Sequence, residues 1–109
     1  MSAIYTRKLA SIVTDTVVAQ NVDFLAADFS CKDDRETMVR LTLAVSSAVK
    51  VRLVPSSGTG FYLNNGTALV AVAAHTEEIV LDSGRTWNVQ TDDAAGTTVH
   101  HLHVVEVEA

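Results

Sequence analysis

Residues 37–54 read TMVRLTLAVSSAVKVRLV, and their alternation decides the fold class. Val39, Leu41, Leu43 and Val45 fall on one side of an extended chain, with Arg40, Thr42 and Ser46 on the other. Successive side chains of a strand point to opposite faces of a sheet, so this is the pattern of a half-buried antiparallel strand. After the link Ser46-Ser47-Ala48 the alternation resumes, with Val49, Val51 and Leu53 inward and Lys50 and Arg52 outward. Two such runs joined by a short link predict a β-hairpin.

The same reading extends downstream. Pro55 ends the second run, and residues 55–60, PSSGTG, read as a flexible loop. Residues 61–63, FYL, predict a short strand, and Asn65-Gly66 is the dipeptide of a tight hairpin turn. Residues 67–81, TALVAVAAHTEEIVL, carry helix-forming alanines, but the valines and the following DSG favour strand or extended loop, with a strand near Glu78 to Leu81. RTWNVQT alternates again with Trp87 and Val89 inward and Arg85, Asn88 and Gln90 or their neighbours outward, and DDAAG makes the last turn before a closing strand from Thr97 to Val107.

Upstream the pattern is weaker. SIVTDTVVAQNV can hold a strand, and DFLAADFSCKDDRE reads as a loop anchored by Phe24, Leu25 and Phe29. Residues 1–12 form an N-terminal arm or edge strand, and residues 13–109 one domain. Turn signals recur roughly every eight to twelve residues, the spacing of a sandwich or barrel. The expected fold is all-β, a single antiparallel β-sandwich or jelly-roll-like domain of about seven to eight strands.

Composition narrows the function classes. Of 109 residues, 48% are hydrophobic and 19% charged, which argues against disorder. Thirteen acidic against eight basic residues give a net charge of −5 without long blocks, so there is no basic patch to support nucleic-acid binding. The longest apolar run, ALVAVAA, is about a third of a membrane span, and no N-terminal stretch is built like a signal peptide. The expectation is synthesis in the cytoplasm, with export only as part of something larger. The single cysteine, Cys31, cannot form an internal disulfide and reads as structural.

Candidate chemistry is sparse. His100, His101 and His103 crowd the closing strand, where alternation puts His101 and His103 on one face with Val99, Val105 and Val107, and His100 on the other. A zinc site needs a third and usually a fourth ligand. Only His75, or copies in a symmetric oligomer, could add one, so pairing with carboxylates or carbonyls on a sheet or interface is favoured. The acidic pairs Asp33-Asp34, Glu77-Glu78 and Asp92-Asp93 read as solvated turns. SSGTG matches neither a phosphate loop nor a nucleophile elbow. Trp87 reads as core, with a sugar platform of Tyr62, Trp87 and the SSGTG loop as the competing view. No catalytic residue, cofactor or enzymatic activity is expected.

In order, VDFLAADF, RLTLAVSSAVKVRLV, YLNNGTAL, LDSGRTWNVQT and VHHLHVVEVEA resemble the small β-sandwich accessory structural proteins of tailed phages and related viruses, over about residues 20–109. LNNGTAL resembles their central hairpin turn, and DSGRTWNVQ their penultimate strand with its aromatic residue. The resemblance implies a virion location and a capsid decoration or cement role, with neck, tail or fibre base next. It implies a homo-oligomer, expected to be a trimer, that contacts a major capsid protein or another virion protein, with no nucleic acid or membrane partner. Contact residues would be Ile4, Tyr5 and Leu9 in the arm and His101, His103, Val105 and Val107 in the closing strand. The segment AVAAHTEEIV departs from this pattern.

Overall fold

Strands form wherever alternation was legible, and in several places where it was not. The structure, a computed structural model, describes residues 4–30, 37–82, 85–93 and 95–108, with backbone alone at 4–7 and 108. Its elements are β1 (Ile4–Ile12), β2 (Thr16–Val18), β3 (Phe29–Ser30), β4 (Thr37–Val45), β5 (Lys50–Pro55) and β6 (Phe61–Tyr62). A one-turn helix at Asn64–Gly66 follows, then β7 (His75–Leu81), β8 (Thr86–Asp92) and β9 (Thr97–Glu108).

The strands make two antiparallel sheets. One runs β1-β9-β4-β7, with β2 also on β9, and the other runs β3-β8-β5-β6. Since β1 and β2 both pair with β9, they act as one interrupted edge strand. The pairings are then nested: β1/β2 with β9, β3 with β8, β4 with β7, and β5 with β6. Ladders β4·β9 and β5·β8 join alternate pairs into sheets. A hairpin-like chain rolled up so that first meets last and fourth meets fifth is a jelly roll. The expected all-β sandwich is therefore present.

The inward residues fill one core. Val39, Leu41, Leu43 and Val45 of β4 meet Val51 and Leu53 of β5, Val89 of β8 and Leu102 and Val104 of β9, each fully buried. Residues 4–12 are the edge strand of this sheet rather than a separate arm, and Leu9 packs against the core.

The expected hairpin between residues 37–46 and 49–54 is corrected. β4 and β5 lie in different sheets, and residues 46–49 arch across the sandwich. Both strands turn a buried stripe to the same core from opposite sides, so period-two alternation is identical for a hairpin and an arch. Polar atoms in the link decide between them. The Ser46 N–H donates to Thr98 O (2.8 Å), Thr98 N–H donates to Ser46 Oγ (3.0 Å), and Ser47 Oγ lies 2.8 Å from Thr97 Oγ1. The arch is thus tied to β9 and not to β5. The true hairpin is β5·β6, closed by the loop 56–60.

Asn65-Gly66 also joins no hairpin. Asn64, Asn65 and Gly66 all have positive φ, 51°, 54° and 80°, making a left-handed turn that passes from β6 in one sheet towards β7 in the other. Glu77 fixes it, since its Oε1 accepts the Asn64 N–H (2.8 Å) and contacts His75 Nε2 (2.9 Å). The DDAAG turn is present, with Gly96 at φ 77° donating to Asp93 O, but it too crosses between sheets. A Cβ on Gly96 would meet Val18 O at 3.1 Å, so glycine suits both the angle and the space.

The anchored loop before β3 closes the outer edge of β8. Asn21 and Phe24 N–H donate to Thr91 O and Val89 O, and where backbone pairing lapses the Asn88 side chain, buried under the loop rather than solvated as expected, substitutes. Its Oδ1 accepts Leu25 N–H (3.0 Å), and its Nδ2 donates to Asp28 Oδ1 (2.6 Å). Asn88→Ala should therefore cost about 1–3 kcal/mol by leaving a buried N–H unsatisfied. Urea unfolding measures it, and a change within about 0.5 kcal/mol, typical of surface sites, would contradict this role.

Candidate functional site

The histidines sit on the outer face of the β1-β9-β4-β7 sheet. Cross-strand rows there are Val80–Met38–Val107, Glu78–Arg40–Val105–Lys8, Thr76–Thr42–His103–Ser11 and Ala44–His101. Arg40 and Glu78 form an ion pair (2.6 Å), and the Thr42 and Thr76 hydroxyls lie 3.1 Å apart. His101 and His103 stack with centroids 5.9 Å apart, and His101 Nδ1 is buried without a hydrogen-bond partner.

Val99 is not on this face, contrary to the simple alternation. The β4 register steps from Ala44↔His101 to Val45↔Val99, so His100 is the extra residue of a β-bulge. Below the bulge Val99 faces the core, fully buried, while above it His101, His103, Val105 and Val107 face outward. His100 itself contacts Asp15 Oδ1 (3.0 Å). Val107 is buried and Val105 half-buried, so neither offers a free apolar surface. Ile4 and Tyr5 pair with Glu108 and Val107 through their backbones, and their side chains lie outside the described residues.

His75 lies on the opposite, inward side of β7, engaged with Glu77. Among the described residues, no group of three or more His, Cys, Asp or Glu side chains is placed to hold a metal ion. Cys31 and Asp33-Asp34 lie outside the described residues.

Trp87 is 3% exposed, with its ring edge-on to Phe61 (5.9 Å), so it cannot share a stacking platform with Tyr62. Alternation placed it inward, and that placement holds. Tyr62 and the SSGTG loop do meet, around a different partner. On the outer face of the second sheet Gln90, Arg52 and Tyr62 stand in one cross-strand row. With Asn21, Phe61 and residues 58–60 they line a cleft of about 390 Å³. Gly60 is obligatory at its wall, because a Cβ there would lie 1.9 Å from Leu53 O. Sequence reading marked Arg52 and Gln90 as outward but could not join them, and it had no signal for Asn21; strand pairing brings the three together.

A second site was also missed. Of the two expected alternatives, strand or extended loop, ALVAVAA takes the loop: Leu69 is buried, whereas Val70 and Val72 are 71% and 70% exposed. Val72 has φ 67°, a left-handed conformation that β-branched residues rarely adopt. The run of apolar residues was the available signal, but it reads equally well as core.

No protein-family model matches the chain, and no curated protein matches it.

Beside the cleft, Asp92 accepts hydrogen bonds from Gln20 Nε2 (2.9 Å) and the Tyr62 hydroxyl (3.2 Å). These bonds, with the charges of Lys50 and Arg52, hold its carboxyl below the usual carboxylate value. A depressed folded value means the contribution to stability is present above the unfolded carboxylate pKa and lost as pH falls through the folded one. An NMR titration should find Asp92 titrating below about 3.9, and Tyr62→Phe should raise that midpoint. An unchanged midpoint in Tyr62→Phe would show that the hydroxyl does not act on it.

Proposed function

We propose that this protein is a virion structural protein, a capsid decoration or cement protein that assembles as a symmetric homo-oligomer, a trimer, against a major capsid protein. The observation that carries the reading is an apolar end of the sandwich that the fold itself leaves uncovered. Val17 of β2, 83% exposed, pairs with Thr98. The Thr98 carbonyl takes the Ser46 N–H, and the neighbouring Val45 carbonyl takes the Val72 N–H (2.7 Å). Val17 and Val72 therefore flank one end of the sheet, with Val70 beside Val72 and Val13, 75% exposed, before β2.

Magnitudes favour an assembly role. Holding a valine in a left-handed conformation costs about 1–3 kcal/mol, and burying one valine side chain returns about 1.5–3 kcal/mol. Covering Val70 and Val72 on a partner offsets the strain with margin. In an isolated domain the Val72 N–H bond to Val45 O is the compensation the fold provides, and both side chains stay exposed. Jelly rolls serve in viral capsid and lectin domains alike, so the architecture agrees with the proposal without deciding it. Repeated contacts on a shell would convert a modest individual interface into durable attachment.

The contact surface shifts with this reading, from the histidine face to the end carrying Val13, Val17, Val70 and Val72. Light scattering coupled to size exclusion should find an oligomer that Val70→Asp and Val72→Asp dissociate. Val72→Gly should stabilise the dissociated chain by about 1 kcal/mol through strain relief while weakening assembly. A chain that stays monomeric at all concentrations and does not bind capsids would overturn the proposal.

A further inference from the structure

The cleft on the outer face of the β3-β8-β5-β6 sheet is separate from the apolar end and makes a different demand. Arg52 projects into it from the middle of β5, half-buried. Its guanidinium has only neutral acceptors: Nη2 donates to Gln90 Oε1 (2.6 Å) and to Asn21 Oδ1 (3.2 Å). The Gln90 amide is oriented for this by its own Nε2, which donates to Asp23 Oδ1 (2.7 Å). Among the described residues no carboxylate reaches ion-pair distance of Arg52, and its Nε is buried without an acceptor. Nη1 has no acceptor either, and it keeps solvent access.

A half-buried guanidinium whose Nη1 faces solvent without an acceptor is matched by a carboxylate oxygen, a charge-assisted acceptor. A second guanidinium, that of Arg85, stands at the rim, 3.6 Å from where a Cβ on Gly58 would lie, and is already ion-paired with Asp82 (3.9 Å). The remaining wall mixes Asn21, Gln90 and Thr59 with Val54, Phe61 and Tyr62. Polar groups there pair with ligand hydroxyls, while the apolar surface covers its C–H face. The volume, about 390 Å³, lies in the range of small-ligand pockets.

We infer that this cleft binds an acidic sugar, a hexuronate unit, with its carboxylate on Arg52 and its hydroxyls on the amide-lined wall. The carboxylate gives Arg52 a charged hydrogen-bond acceptor in addition to the neutral Asn21 and Gln90 amides, and the hydroxylated ring fits a wall that a simple fatty or aromatic acid would leave unsatisfied. The inference stands on the cleft alone and is independent of the assembly proposal.

The test is an amide and side-chain NMR titration of the full chain with glucuronate, glucose and acetate. Glucuronate should give saturable shifts at Arg52 Nε–H and at Gly58, Thr59 and Gly60, with glucose and acetate each at least about tenfold weaker. Arg52→Gln should lose about tenfold or more in affinity. Asn21→Asp, which places a carboxylate on Arg52 Nη2, should do the same with Thr98 and Leu102 amide shifts unchanged, separating lost binding from lost fold. Equal binding of glucose would remove the role of Arg52, and equal binding of acetate would remove the sugar. No saturable shift in the cleft would overturn the inference.

Discussion

Strand β9 is hydrogen-bonded along one edge to β1 and β2 and along the other to β4, and the fold depends on that double pairing. It joins the two ends of the chain, Ile4 to Glu108, and then supplies Val99, Leu102 and Val104 to the core. Without it the edge strands have no sheet to join, and the inner faces of β4 and β5 have less to pack upon. Closing so long a loop costs entropy that grows only slowly with length. The non-local pairing it requires nevertheless places folding among the slower all-β domains. Only β5·β6 is joined by a short loop within one sheet among the nested pairs, so its closure is the least costly.

The bulge at His100 sets what β9 presents on each side. One extra residue reverses the parity of the strand, so Val99 and Leu102 both reach the core although three positions separate them. It also turns His101 and His103 outward together and leaves His100 at the edge with Asp15. The cluster that looks most like chemistry in the sequence is thus divided by a packing requirement. The inner face must stay apolar from Val99 to Val104, and the histidines occupy the positions that remain.

Alternation at Val39 to Val45, Val49 to Leu53 and Trp87 to Val89 was enough to establish the fold class and most of the core. Partner choice was not legible there, because a strand reads the same whether its neighbour in sequence joins its own sheet or the opposite one. The serines at 46 and 47 look like an ordinary hairpin link until their bonds to Thr97 and Thr98 are known. Residues 70–74, open between strand and extended loop in the sequence, were ambiguous for a different reason. Their apolar character normally signals burial, and here they are exposed while Leu69 alone is buried. The cleft was half legible: alternation turned Arg52 outward and composition marked the glycine loop, but Gln90 and Asn21 lie far along the chain and meet Arg52 only through pairing.

Strand direction then separates the two surfaces. β4 arrives at the arch 46–49 beside Val72, and β5 leaves from it, so Arg52 and the loop 56–60 lie progressively farther from the apolar end. The second tie of that arch, Ser47 with Thr97, and the Gly96 turn against Val18 belong to the same end. A domain seated on a larger surface by Val13, Val17, Val70 and Val72 would therefore hold the Arg52 cleft on its flank, directed away from the seat. Apolar burial and charge recognition place opposite demands on water, one needing its exclusion and the other a solvated approach. Under the two proposals the jelly roll would meet both, with the end that carries β2 and the loop 70–74 serving the first and an outer sheet face the second.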